Sequence, residues 1–286
     1  MRGALKVLFV PIMLLGFNGA AVWMVTAHLS LYWLAPLLVA AIVFATVVER
    51  LIPYEPAWNE ARGEFGRDLI HALVNVAIII FLVLVIRPGH ALWPRALPIW
   101  AQFLLAAVAA DAGLTFAHVL SHRLSWLWRI HATHHAATRM YGFNGLLQHP
   151  SHQAFEIIVG GGLLIMLGMP HEIGLLVGFA VVVQFVLQHS NADMKIGPFV
   201  WLLNVGPVHR LHHLREFEAR GVNFGFFTNL WDYPMGTLDL GRRAPVGPDE
   251  VGVSEPNYPQ TYLAQLRHPF ARERPDTCRR ASEPAS

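Results

Sequence analysis

Four stretches in the first half of the chain, residues 7–27, 31–48, 69–86 and 96–117, run with no charged residue except Asp111 in the fourth. A helix needs about 20 apolar residues to cross a hydrocarbon core of about 30 Å, so each stretch predicts a transmembrane helix. The second half holds a tighter pair. Residues 154–169 include Gly160, Gly161 and Gly162, whose missing side chains permit close backbone approach. After Pro170, His171 and Glu172 the chain is apolar again over 173–188. Both runs are short for a full crossing, so they read either as a hairpin that enters and returns or as two crossings. Trp23, Trp33, Trp93, Trp100, Trp126 and Trp128 fall near span ends, as an interfacial aromatic belt would.

Positive residues orient these spans. Arg2 and Lys6 precede the first, none lies between the first and second, and Arg50, Arg62 and Arg67 follow the second, which predicts a cytoplasmic amino terminus. An even number of crossings then puts Arg123, Arg129, Arg139, Lys195, Arg210 and Arg215 on the same side, whereas Arg87 and Arg95 fall opposite. The first span reads as a retained anchor and not as a cleaved signal peptide, because a second span follows at once. The expected organisation is 1–95 as N-terminal transmembrane helices, 96–241 as a histidine-rich domain, and 242–286 as a cytoplasmic tail disordered at its end. The fold class is all-α and integral to the membrane: about four spans, a membrane hairpin, and a cytoplasm-facing helical cap from 121–145 and 204–240.

Composition agrees with a membrane location and narrows the chemistry. Of 286 residues, 54% are hydrophobic and 14% charged, and 21 Lys+Arg against 19 Asp+Glu leave no basic face for nucleic acid. The single cysteine, Cys278, excludes an intrachain disulfide and thiolate-rich metal sites. The sequence has no GxSxG, no HExxH and no phosphate-binding glycine loop, so a nicotinamide or flavin would have to bind a separate reductase. The abnormal count is 16 histidines, most of them between His118 and His213.

His118 and His122 are four apart at the end of a helical run, which puts both imidazoles on one face. His131, His134 and His135 form an HxxHH pattern, repeated by His209, His212 and His213. Imidazole suits iron, copper, zinc and nickel, and one ion takes at most about six ligands, so eight converging histidines imply two metals. Without thiolates or a carboxylate-rich set, a pair of irons is the redox-active choice: a dinuclear ferrous centre delivers two electrons to dioxygen and yields an oxidant fit for an unactivated C–H bond. A membrane-boundary site excludes water and admits lipid.

These motifs resemble those of the fatty acid hydroxylase / sterol desaturase superfamily of integral-membrane non-haem di-iron enzymes. The resemblance runs in order over about 111–237. His118-Val-Leu-Ser-His122 is similar to the family's first box, Leu127 to His135 to its second, and Pro207 to His213 to its last. Gln188-His189-Ser190-Asn191 resembles an additional histidine segment, and Asn223-Phe224-Gly225 with Trp231-Asp232 and Gly236-Thr237 resembles the closing signature. Glu49-Arg50, Pro53 and Arg67-Asp68 resemble what lies upstream in relatives. The chain departs from the family at Gln148-His149-Pro150, at His152 in place of a Glu, and after Trp231-Asp232. The resemblance implies oxygen-dependent hydroxylation or desaturation of a lipid, with electrons from a b-type cytochrome, ferredoxin or reductase, and it adds His189 to the ligand set. Hydroxylation is preferred to desaturation.

Further candidates are His149, as ligand, channel residue or turn, and Asp111, Asp193 and Asp232, as carboxylates that accept an imidazole N–H and fix its tautomer, with a salt bridge to an arginine such as Arg129 as the alternative for Asp111 and turn capping as the alternative for Asp193 and Asp232. Asp111 shares a helical stripe with Thr115, His118 and His122. Glu156 is expected either to orient a histidine or to face the headgroups. His152 and His171 read as interfacial, and His28, His71, His90 and His268 as surface or packing residues. Two rivals from other classes are a non-catalytic metal-handling membrane protein and a haem cytochrome; the latter needs only two axial ligands. The expected location is the cell (inner) membrane, with the active site on the cytoplasmic side.

Overall fold

The computed structural model of the chain describes residues 2–86, 92–242 and 244–271. Arg87, His90, Cys278 and the tail beyond residue 271, including its expected disorder, lie outside the described residues. Among the described residues the chain is helical, with β structure confined to isolated bridges such as Pro53 to Ala192. Five helices among the described residues are long and apolar enough to cross a membrane: α1 (Arg2–Thr26), α2 (Leu31–Leu51), α3 (Phe65–Val85), α4 (Ile99–Arg123) and, later in the chain, His171–His189. Four coincide with the uncharged runs of the first half. The fifth is the returning arm of the expected hairpin.

Between α4 and that arm come α5 (Ser125–His135) and α6 (Pro150–Met166); the returning arm is then α7, and α8 (Gly206–His212), α9 (Asp232–Met235) and α10 (Tyr262–Arg267) follow. Pro11 sits inside α1, and the π-helical stretch Ile12–Phe17 comes directly after it. Proline has no N–H for the helix ladder, and a widened turn absorbs the missing bond. At the start of α6 the same chemistry is used to begin a helix: Pro150 occupies the first turn, and the His149 ring Nδ1 accepts from Ser151 N–H at 3.1 Å.

α7 is the pillar of the molecule. Most of its length is buried, whereas each of the four earlier spans buries a minority of its own and shows apolar side chains to the surroundings. It packs against α1 to α4. On another side α6 lies along α4, so closely that a Cβ on Gly113 would stand 2.7 Å from the Gly160 Cα. Of the three consecutive glycines only Gly160 makes this approach; Gly161 meets nothing.

Both ends of the bundle can be told apart. Lys6, near the start of α1, forms an ion pair with Asp193, just past α7, and Lys195 N–H donates to the Lys6 carbonyl at 2.9 Å. The amino terminus therefore shares one end of the bundle with His118, His122 and His189. The cap at that end is only partly helical, because α5, α8 and α9 alternate with irregular segments. The expected extension after 242 does not stand apart. Val246 and Val251 bury with Trp58, Met140, Leu211 and Leu214, and α10 packs on α3. The aromatic belt also divides: Trp23, Trp33, Trp100 and Trp126 are exposed, but Trp93 is buried on Gln102 and Trp128 packs against histidines.

Candidate metal centre

Histidines from α4, α5, α7 and the α8 region meet in two adjoining groups. His118, His122, His131, His135 and His212 form one, and His134, His189, His209 and His213 the other; within each, the candidate donor nitrogens all lie within 4.8 Å of one another. These are the nine residues the sequence singles out. The i, i+4 pairs arise as helical spacing dictates: the Nε2 atoms of His131 and His135 face each other at 3.1 Å, as do those of His209 and His213. Contacts between elements are equally short, at 3.1 Å for His212 to His135 and 3.2 Å for His189 to His134. The groups share a wall, where His135 stacks on His213 with ring centroids 4.3 Å apart.

The outer ring nitrogens are held by neutral acceptors. His118 Nδ1–H donates to the Phe224 carbonyl at 2.9 Å, His134 Nδ1–H to Leu147 at 3.1 Å and His212 Nδ1–H to Val222 at 2.6 Å. His189 Nδ1–H donates to Asn144 Oδ1 at 3.1 Å. These bonds fix the tautomer that turns Nε2 inward. Inside, the His118 Nε2 and both His122 nitrogens are buried without a hydrogen-bond partner. Burial holds His134 down to about 3 and keeps His131, His135, His209, His212 and His213 well below the ordinary imidazole value, so all are neutral donors. Neutral imidazoles about 2.1 Å from a shared first-row ion would stand about 3.0–3.4 Å apart, and the observed spacings fall there. The residues fit two metal ions.

The three aspartates do not touch an imidazole. Asp111 instead accepts from Phe227 N–H at 2.6 Å, Thr228 N–H at 3.3 Å, Thr228 Oγ1–H at 2.6 Å and Trp231 Nε1–H at 3.1 Å. It anchors the segment that presents the Phe224 carbonyl. Asp232 accepts from Phe224 and Gly225 N–H at 2.8 and 2.9 Å and caps that turn. Asp193 pairs with Lys6. His149 belongs to neither group and caps α6. His71, read as a surface or packing residue, and His152, read as interfacial, are fully buried: His71 packs with Nδ1 2.8 Å from the Gln148 carbonyl oxygen and Nε2 2.9 Å from Gln265 Oε1, and His152 lies between Ser121 Oγ and Gln148 Oε1, both at 2.8 Å. The His152 ring centroid is 4.4 Å from that of His131.

Sequence reasoning misses Asn144, Trp128 and the backbone role of Phe224. Trp128 stands 5.0 Å from His122 and 5.2 Å from His135, and Phe224 presents an edge to His118. Phe224 was visible within the Asn223-Phe224-Gly225 signature and Trp128 within the second box; nothing local marks Asn144. His122 is the least buried of the nine. Arg210, between two ligand candidates, is buried with its guanidinium 3.7 Å above the Tyr54 ring and donates to the Ser190 carbonyl.

Residues 103–237 match the family model described as fatty acid hydroxylase. The chain is 30% identical over 283 residues to the ornithine lipid hydroxylase OlsE of Rhizobium tropici, covering 94% of this chain and 84% of that protein. It is 28% identical to an alkylglycerol monooxygenase of Danio rerio, over 51% of this chain and only 31% of that one. A very-long-chain aldehyde decarbonylase of Oryza sativa subsp. indica is 27% identical, over 62% of this chain and 68% of its own length. No solved structure matches the chain.

Proposed function

The chain belongs to the fatty acid hydroxylase family, and from that premise we propose that it is a membrane-bound di-iron oxygenase that hydroxylates a C–H bond of a lipid. The observation that carries the reading is the pair of buried histidine groups, whose inward nitrogens face one another or, at His118 Nε2 and both nitrogens of His122, have no partner. His118, His122, His131, His135 and His212 would hold one iron, and His134, His189, His209 and His213 the other. Two bound irons would supply the electrons and the Lewis acidity that activate dioxygen.

The chain's own part is positional. The carbonyls of Phe224, Leu147 and Val222 and the Asn144 amide orient four of the rings, so the donor set is preorganised before metal arrives. Trp128 and Phe224 border the five-histidine group and keep water from it, as an oxidising centre needs. The partly open side at His122 is where substrate would reach the metals. Desaturation by the same centre stays the alternative outcome, decided by which hydrogen the bound lipid presents second. Electrons would come from a separate b-type cytochrome, ferredoxin or reductase.

Because a relative that aligns over nearly the whole chain is an ornithine lipid hydroxylase, a lipid with an amino acid headgroup is the first substrate to try. The proposed location is the cell (inner) membrane with the centre facing the cytoplasm, supported by the shared end of the amino terminus and the histidines and by the arginines around them. The test is metal analysis of the detergent-purified protein beside lipid mass spectrometry of cells with and without it. About two irons per chain and a lipid gaining one oxygen are expected, both lost in His134→Ala. Stoichiometric haem, or metal without any oxidised lipid, would refute the reading in favour of a cytochrome or a metal-handling protein.

A further inference from the structure

The last described segment lies beyond residues 103–237, the part that matches the family model, and contributes nothing to the metal site. α10 (Tyr262–Arg267) runs into the single turn His268–Phe270, and together they are strapped across three elements of the bundle. Gln265 is fully buried, with Oε1 2.9 Å from His71 Nε2 on α3. His149, at the start of α6, donates from Nε2 to the Leu266 carbonyl at 3.3 Å and meets the Phe270 ring with centroids 5.8 Å apart. Arg129 on α5 donates to the Ala271 carbonyl.

The strap's outer face is open. Leu263 is 61% exposed and Phe270 71%, with the exposed Arg267 between them, and spacings of four and three put the three on one side. How deep the strap lies decides what covers that face. α3 has 21 residues and begins directly after Glu64, so it spans about 31 Å, the thickness of a hydrocarbon core. His71, to which Gln265 is fastened, stands about 9 Å along the axis from Phe65. Around that level α3 shows Phe65, Ile70 and Leu73 to its surroundings, and Trp126 of α5 is exposed as well. An interfacial helix buries its apolar face about 5–10 Å into the boundary between headgroups and acyl chains, so Leu263 and Phe270 continue the lipid-facing surface of α3 at that depth.

We infer that residues 262–270 form an interfacial element that seats the histidine-bearing cap on the bilayer surface at its own end of the bundle. Leu263 and Phe270 enter the upper acyl region, and Arg267 meets anionic headgroups there. The partner is the lipid surface itself, so the inference does not rest on the reaction proposed for the centre. Because the same segment holds α3, α5 and the first turn of α6 together, its hold on the bilayer fixes the cap at the boundary where a lipid leaves the leaflet.

The test uses the full-length protein carrying Cys278→Ser and one introduced cysteine, from Leu263→Cys or Phe270→Cys, bearing a fluorophore, in liposomes of phosphatidylethanolamine and phosphatidylglycerol. Both side chains are exposed, so the label displaces no core residue. Two quenchers are compared: a lipid with a nitroxide near the top of its acyl chain, and iodide in the water. Asp249→Cys, at an exposed site on the cap, is the reference for water. Strong quenching by the nitroxide lipid is expected at both sites, with iodide several-fold weaker than at the reference. Iodide quenching as strong as at the reference, at either site, would put the face in water and overturn the proposal. Protection from both quenchers would also overturn it, by showing that a second copy or the chain's own last residues cover the face. Adding Arg267→Glu should weaken nitroxide quenching in these liposomes and leave it unchanged in phosphatidylcholine; an equal effect in the two would overturn the headgroup contact. The readout needs neither metal nor turnover, so it decides the seat whether or not the protein oxidises a lipid.

Discussion

Replacing Asp111 separates two accounts of how a carboxylate inside a membrane helix supports the centre. If it fixed a histidine tautomer, its loss would act on the metal alone. In the structure it takes four hydrogen bonds from Phe227, Thr228 and Trp231 and touches no ring. Asp111→Ala strands two backbone N–H groups and the indole N–H in a half-buried setting. Bonds to a charged acceptor are worth about 1.5–3 kcal/mol each, and part of that is returned because a buried carboxylate no longer needs desolvation, so the expected loss is about 3–5 kcal/mol. Asp111→Asn keeps an oxygen for Phe227 and Thr228 but turns an NH₂ toward Trp231, and should cost about 1–2 kcal/mol. The Thr115 hydroxyl holds Phe226 and Asp232 holds Phe224 independently, so the His118 partner shifts without being lost. Thermal unfolding in detergent beside iron content reads both effects. The midpoint should fall by roughly 10 °C in the alanine variant and much less in the asparagine variant, with metal loss following the same order. An unchanged midpoint with metal gone from both variants would refute the anchoring argument and restore the direct tautomer role.

Acidification should weaken the metal-free protein. An imidazole depressed in the folded state, as His134 is, leaves the unfolded chain binding the extra proton, so stability present above about pH 6.5 falls by roughly 1.4 kcal/mol per histidine for each pH unit below it; melting of chelator-treated protein at pH 7.5, 6.5 and 5.5 that stays level would contradict this. Gly113→Ala should destabilise by about 1–3 kcal/mol, because its Cβ meets Gly160 backbone at 2.7 Å, whereas Gly162→Ala, with only its own helix nearby at 4.0 Å, should be neutral or gain about 0.5–1 kcal/mol; equal midpoints would show that α4 and α6 are less tightly apposed. Asn144→Leu removes the acceptor of His189 Nδ1–H and should weaken metal binding on the order of 10- to 100-fold, with Asn144→Asp restoring it; competition against a chelator that finds no difference would remove His189 from the oriented set.

The spans and the nine histidines were legible for the same reason: each repeats at a spacing that physics fixes, about 20 apolar residues for a crossing and three or four for a helical face. Their partners were not. The acceptors for His118, His134 and His212 are backbone carbonyls of Phe224, Leu147 and Val222, and every residue type carries a carbonyl. His152 reads as interfacial because it follows Pro150 at the start of an apolar run, yet the hairpin's first turn lies beneath the cap, where Ser121 from α4 and Gln148 complete its bonds. The carboxylates misled in the other direction. A charged group in a span suggests a functional site by default, and that default sent Asp111 to a histidine when its partners lie in a loop far along the chain.

That loop points to a general constraint on this fold. Four histidine-bearing elements can converge only if the chain leaves helical geometry between them, and in a low-dielectric setting every amide of those crossings needs a partner. Polar residues of the membrane helices supply them: Glu49 Oε1 accepts from Gly142 and Asn191 N–H, Asn75 donates to the Leu146 and Gln148 carbonyls, and Thr115 accepts from Phe226. On α7, Gln184 and Gln188 both donate to the Phe226 carbonyl at 2.8 Å, one turn apart, and Gln184 also donates to Asn204. Their redundancy makes a sharp prediction. Gln188→Leu leaves Phe226 one bond and should cost about 1 kcal/mol, and Gln184→Leu costs more because the Asn204 carbonyl is stranded too. The double variant orphans the Phe226 carbonyl, so its loss should exceed the sum of the singles by about 1–2 kcal/mol. Midpoints that add within about 0.5 kcal/mol would mean that water or another donor meets Phe226 there, and that the glutamines serve packing and not the backbone that carries the centre.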